Sequence, residues 1–175
     1  DSKFGDADHG LTMTKIAKAI SAAVEASDGG IQAMLDDAAM AVMSLNGGSA
    51  VPLWNTWLDG MQEDAPDEDE IDVAGIQAIF AKAFEEIDDM SGAKVGDKTM
   101  MDALIPASEA IAAYEGDSAD ELFAAAAKAA TEGAENSKNF VSKFGRAKSY
   151  GTKTIGTPDA GATSMARFFQ GLAQA

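Results

Sequence analysis

Apolar residues along this chain recur at three- and four-residue steps, and each such run is stopped by a polar segment, usually with glycine. A helix returns to the same face every ~3.6 residues and a strand every second residue, so this spacing predicts helices and argues against a sheet. Abundant alanine and methionine, with no β-branched runs, point the same way. Ile16, Ala19, Ile20, Ala23 and Val24 make one stripe over roughly Thr12 to Ala26, stopped by Asp28-Gly29-Gly30. A second helix, with Ile31, Leu35, Ala38, Val42 and Leu45 inward, ends at Asn46-Gly47-Gly48. Ser49 opens a short third helix through Leu53, Trp54, Trp57 and Met61, with Pro52 acceptable in its first turn. Both tryptophans read as core or partner surface and not as nucleotide stackers, and acidic Gln62 to Asp72 reads as a solvated loop.

The fourth helix spans about Val73 to Met90, with Ile76, Ile79, Phe80, Ala83, Phe84 and Ile87 on one face, and ends at Ser91-Gly92. Met101, Leu104, Ile105, Ile111 and Ala112 mark a fifth, in which Pro106 predicts a kink or a late start. Ser118-Ala-Asp-Glu121 is a capping-box signature for a sixth, running toward Phe140 with a bend near Gly133. Gly145 to Gly161 reads as a long loop, and a last helix starts near Ala162. Short links make these seven helices antiparallel neighbours, an up-and-down bundle or helical barrel forming one domain over residues 1–175. In that topology the loops around Gly5, Gly47, Gly96 and Gly156 can share one rim.

The chemistry gathers in the first twelve residues, where Asp1, Asp6, Asp8 and the only histidine, His9, precede a helix with Gly5 and Gly10. Carboxylates packed this closely repel, and a hard cation between them removes the repulsion. Glycine at a helix start exposes N–H groups to an anion, which the helix dipole favours. Acidic groups beside free N–H groups suit a metal-bound phosphate. On this stretch alone, Asp6 and Asp8 also read as ordinary turn and N-cap residues.

A formal charge of −16, from 29 acidic and 13 basic residues, argues against nucleic acid or an anionic membrane as partner. Zero cysteines exclude disulfides and thiolate metal sites, and a single histidine argues against zinc. No apolar run approaches the ~18 residues of a membrane span. The expectation is a soluble cytoplasmic protein.

Four segments, Gly5-Asp-Ala-Asp-His-Gly10, Gly47-Gly-Ser-Ala-Val-Pro-Leu53, Gly96-Asp-Lys-Thr-Met100, and Gly145-Arg146 through Asp159-Ala-Gly-Ala-Thr-Ser164, together resemble one family. The chain is similar, over nearly its whole length, to the nucleotide-binding L subunit or domain of dihydroxyacetone kinases. That resemblance implies an all-α, eight-helix antiparallel barrel whose rim loops hold ADP or ATP through two Mg2+ ions. The family carries a helix ahead of its first metal ligand, which implies residues upstream of Asp1. Asp1, Asp6 and Asp8 match the metal ligands, and His9, Gly10, Leu11 and Thr12 the phosphate-contacting helix start. Ser49 and Ala50 match a second phosphate loop, Gly92 and Met100 the nucleotide pocket, and Asp159, Ala160 and Gly161 a further nucleotide turn. Met101 reads as core. Arg146 and His9 are the candidate catalytic residues, with Arg146 facing phosphate.

Three departures from the family pattern stand out. Ser49-Ala50-Val51 replaces the usual Ala-Ser-Gly, Asp159-Ala160-Gly161 replaces Asp-Pro-Gly, and Gly145-Arg-Ala-Lys-Ser-Tyr-Gly151 replaces Gly-Arg-Ala-Ser-Tyr-Leu-Gly. The metal set is unaffected. The resemblance implies phosphoryl transfer to a small ketose held by a separate K subunit or domain, with ATP as an exchanging substrate or a retained ADP recharged by a phosphotransferase-system donor protein. The alternative is a regulatory module using the same site as a sensor and docking a transcription factor or kinase.

Overall fold

The computed structural model describes residues 1–175. Its seven α-helices are α1 (His9–Ala26), α2 (Ile31–Met43), α3 (Ala50–Glu63), α4 (Val73–Ser91), α5 (Met101–Ala112), α6 (Ala119–Asn136) and α7 (Ala160–Leu172). Two 3-10 stretches, Ser137–Asn139 and Arg146–Thr154, lie between α6 and α7. The all-α expectation holds, and no helix is long and apolar enough to cross a membrane.

Residues Gly10–Gly92 form one compact unit. Within it α2 packs on α3, and α3 on α4. Trp54, Trp57, Leu58, Met61, Phe80 and Ile87 fill the centre, and the rings of Trp57 and Phe80 meet edge-on at 5.9 Å. Both tryptophans are core, the first of the two places their spacing allows. Gly60 lets α3 and α4 approach, since a Cβ there would lie 2.8 Å from the Ala83 Cα. Asp72 caps α4 by accepting from the Gly75 N–H at 2.8 Å, and Gly92 ends it at φ +61, a left-handed conformation that suits glycine.

The second unit comprises Asp1–His9 with Ala93–Ala175. Here α5, α6 and α7 pack against one another around Met101, Leu104, Ile111, Leu122, Met165 and Phe169. The Ser118 hydroxyl accepts from the Glu121 N–H, as the capping signature anticipates.

Several boundaries differ from expectation. The helix α1 begins at His9, three residues before Thr12, and α7 at Ala160. Pro106 sits inside α5 without delaying its start. It cannot donate to the Asp102 carbonyl one turn back. On the facing helix, Gly133 is packed against that carbonyl: a Cβ there would lie 2.0 Å from the Asp102 oxygen. Gly133 therefore serves close helix approach, and α6 passes through it and stops at Asn136 instead of bending toward Phe140. The Gly145 to Gly161 segment is 3-10 helix over Arg146–Thr154, broken at Gly151 (φ 54, ψ −132), and not an irregular loop throughout.

Candidate functional site

The opening loop builds a carboxylate cluster by local geometry. The Asp1 carbonyl accepts from the Phe4 and Gly5 N–H groups at 3.2 and 2.7 Å, curling the chain back on itself. Gly5 suits this turn, because a Cβ there would lie 3.1 Å from the Asp1 backbone oxygen and would push the Asp1 carboxylate aside. Ala7 takes φ +61 between the two following aspartates, which costs a residue other than glycine ~1 kcal/mol. Ligand atoms of Asp1, Asp6 and Asp8 consequently lie within 4.8 Å of one another, all three residues exposed. The Asp1 Oδ2 also accepts from the His9 N–H at 3.1 Å, which seats this carboxylate at the start of α1.

Long-range contacts close around the loop. Arg146, 140 positions away, donates to the Asp6 Oδ2. The His9 Nε2 meets the Ser164 Oγ of α7 at 2.8 Å, and the Ala160 carbonyl also bonds the ring. Burial holds the His9 imidazole below its ordinary pKa, opposed by that carbonyl and by Asp8. A neutral ring fits a carbonyl on one side and a hydroxyl on the other. Phe4 and Tyr150 stack edge-on at 5.4 Å, packing the loop against the 3-10 stretch.

In the same unit Asp159 caps α7, its Oδ2 accepting from the Ala162 N–H at 2.8 Å. Burial, with the nearby Asp102 charge adding to it, pushes the Asp159 carboxyl up to about 6, against the Ala162 N–H and Lys98, which pull it down. Gly161 lies against Met100: a Cβ there would be 3.2 Å from the Met100 Cβ. Met100 is buried, as is Met101, which fits the core role expected of Met101. The unit thus gathers Asp1, Asp6, Asp8, His9 and Arg146 with Ala160, and separately Met100 with Asp159 and Gly161.

The remaining candidates lie in the other unit. Thr12 is buried, while Leu11 is 69% exposed. The Gly47 backbone packs on Thr12, where a Cβ would come 3.0 Å from the Thr12 Cγ2, so the α1 start and the Gly47–Ala50 turn are neighbours. Ser49 precedes α3 and makes no side-chain capping bond, while the Val51 N–H donates to the Gly48 carbonyl at 3.2 Å. Gly10 is open, and Gly92 is the left-handed α4 cap.

A model of the DAK2 domain matches residues 3–174. The chain belongs to this family. A D-erythrulose kinase of Mycolicibacterium smegmatis is 35% identical over 171 residues, 95% of this chain and 30% of the relative. The ADP-binding subunit DhaL of a PEP-dependent dihydroxyacetone kinase from Escherichia coli is 28% identical over 178 residues, 100% of this chain and 85% of the subunit. A crystal structure of the dihydroxyacetone kinase from C. freundii, in complex with AMP-PNP and Mg2+, matches 99% of this chain and 29% of its own at a TM-score of 0.69 and 24% identity, which fixes the fold. This DAK2 domain spans about 30% of the length of the erythrulose kinases it matches.

Sequence reasoning passed over Lys98, Asp102, Ser137 and Ser164 of this DAK2 domain. Asp102 left a signal, an acid inside an apolar stripe at the start of α5. It is fully buried, its carboxylate accepting from the Gly96 and Thr99 N–H groups at 2.6 Å each. Ser164 closed a motif but gave no hint of His9 as its partner.

Proposed function

We propose that this domain binds Mg2+-ADP or Mg2+-ATP and is the nucleotide-binding part of a kinase for a three- or four-carbon ketose. The observation that carries the reading is the cluster of Asp1, Asp6 and Asp8, with ligand atoms within 4.8 Å, in a member of the DAK2 family. The donor set fits the metal: all oxygen, three negative charges, and ligands enough to leave other positions of an octahedral ion to water and phosphate. Two ions sharing the three carboxylates are the finer form of the proposal. Bound there, Mg2+ would neutralise phosphate charge.

The chain's own residues do the rest. N–H groups of Gly10, Leu11 and Thr12, in the first turn of α1, bind phosphate oxygens, as do Ser49 and Ala50 at the start of α3. Arg146 is the mobile countercharge: exposed and already reaching Asp6, it turns to the transferred phosphoryl and takes up charge as it moves. His9 holds the metal loop on α7 through Ser164 and Ala160, so its ring positions that loop beside the phosphate. Met100, Gly92 and the Asp159–Gly161 turn bind the nucleoside.

The ketose is supplied by a K-type subunit or domain, and the phosphoryl donor is either exchanging ATP or a phosphotransferase-system protein acting on retained ADP. The test is a coupled assay of this chain with a K-type partner, dihydroxyacetone or either erythrulose, and ATP. Phosphorylation that requires both proteins supports the reading; none with any ketose, from ATP or from a phosphotransferase-system donor, refutes it. Native mass spectrometry of the purified protein separates the modes, since retained ADP marks the recharging one.

A further inference from the structure

Lys98 stands in the Gly96–Met100 motif yet has no role in the nucleotide reading above. It is 5% exposed and sits at φ +59, a conformation that L side chains rarely adopt. Burying an ammonium is costly unless its protons are satisfied. The Lys98 Nζ donates to the Ser137 carbonyl at 2.7 Å and to the Thr157 carbonyl, groups 39 and 59 positions along the chain. The Asp159 and Asp102 carboxylates also act on it, opposing the downward pull of burial on its pKa.

These bonds converge on one short segment. Thr157 begins the turn that ends at Gly161, and Lys98 holds it there. Ser137 holds the same turn at its middle, its hydroxyl accepting from the Asp159 N–H at 2.8 Å and donating to the Ala134 carbonyl at 2.6 Å. On the other side, the Asp102 carboxylate pins Gly96 and Thr99 around Lys98, and Met100 follows directly. Lys98 therefore joins the backbone carrying Met100 to the backbone carrying Asp159, Ala160 and Gly161. The metal loop takes no part in these bonds.

We infer that Lys98 is a positioning residue for nucleotide, setting Met100 and the Asp159–Gly161 turn at their working separation through the Ser137 and Thr157 carbonyls. The inference rests on the nucleotide-binding proposal and adds to it a buried cation that touches no ligand. An apolar side chain of similar length leaves the Thr157 carbonyl without its ammonium and the Ser137 carbonyl with the Phe140 N–H alone, and so the turn free to drift. Arginine retains charge and donors. Glycine removes the ammonium while accepting the positive φ without strain, so it separates the cation's role from the backbone's.

The experiment compares wild type with Lys98→Met, Lys98→Gly, Lys98→Arg and Lys143→Met. Lys143 is a control because its ammonium also ties a motif residue, Asp97, at 2.6 Å, but on the exposed surface. Calorimetric titrations measure ADP affinity at saturating Mg2+ and, separately, Mg2+ affinity without nucleotide, on variants whose circular dichroism matches wild type. The expected result is a loss of ADP affinity of about tenfold or more in Lys98→Met and Lys98→Gly, the scale of one or two hydrogen bonds. Lys98→Arg should recover most of it, and Lys143→Met should bind like wild type. Affinity for Mg2+ alone should be unchanged throughout, which a general loosening of the fold would not give. If Lys98→Met does not fold, Lys98→Gly and Lys98→Arg carry the comparison. Folded Lys98 variants that bind ADP as tightly as wild type overturn the inference and leave the nucleotide proposal standing. A wild type that takes up no ADP with Mg2+ overturns both.

Discussion

Replacing Gly133 by alanine sets two effects of opposite sign against each other inside α6. Alanine is favoured over glycine in a helix interior by ~1 kcal/mol. Against that, the new methyl would begin 2.0 Å from the Asp102 carbonyl oxygen and 3.2 Å from the Ala103 Cα. An ordinary C···O approach is about 3.3 Å, so the helices must part by roughly 1 Å or more. The obstructing atom is backbone and has no side-chain rotamer into which to retreat. Overpacking costs typically ~1–3 kcal/mol, and a backbone clash in a fully buried helix contact belongs at the upper end, leaving a net loss of about 2 kcal/mol. For a domain of this size that is a fall of ~4–8 °C in Tm. Gly171→Ala is the internal control: it lies near the end of α7 with nothing within 4 Å of the new methyl, and should stabilise by up to ~0.5 kcal/mol. Thermal and urea melts of the two variants beside wild type make the measurement. A Gly133→Ala protein as stable as Gly171→Ala would refute the close approach of α5 and α6.

Asp159→Asn keeps a capping oxygen and removes a carboxyl whose pKa is raised on folding from 3.8 to about 6. The folded state holds that proton more tightly, so the stability due to Asp159 is fully present below pH ~4 and lost as pH rises through ~6. The asparagine variant should accordingly match wild type near pH 4 and exceed it by up to about 3 kcal/mol near pH 8 in urea melts, and a pH-independent difference would contradict the assignment. Arg146→Ala should leave circular dichroism unchanged, since the side chain is exposed, and lower kcat in the coupled assay by about 10²-fold; wild-type turnover would remove Arg146 from the site.

What could be read from the sequence was what is encoded locally. Apolar stripes, with a capping signature for the sixth, located the helices, and the caps at Ser118 and Gly92 stood where the sequence put them. The carboxylate cluster was legible because its members lie within eight residues and Gly5 makes the turn. Gly133 was misjudged because a glycine inside a helix has two uses, bending and close approach, and only the facing Asp102 carbonyl distinguishes them. The 3-10 stretch over Arg146–Thr154 has no 3.6-residue stripe to announce it. The burial of Lys98 could not be read from the sequence, since the carbonyls that permit it are 39 and 59 positions away. The engagement of His9 by Ser164, across 155 positions, was likewise invisible.

The central claim, that Asp1, Asp6 and Asp8 hold a metal-bound nucleotide, is tested most directly by melting wild type and an Asp6→Asn, Asp8→Asn double variant with Mg2+, ADP, both and neither. Removing two of three crowded carboxylates relieves repulsion, so the double variant should melt no lower than wild type without ligand. Wild type should gain far more from Mg2+ and ADP together than from either alone. At a hundredfold excess over Kd the joint gain is ~2.7 kcal/mol, or about 5–11 °C. The account expects the double variant to show none of that joint shift; the full shift in the double variant would contradict it.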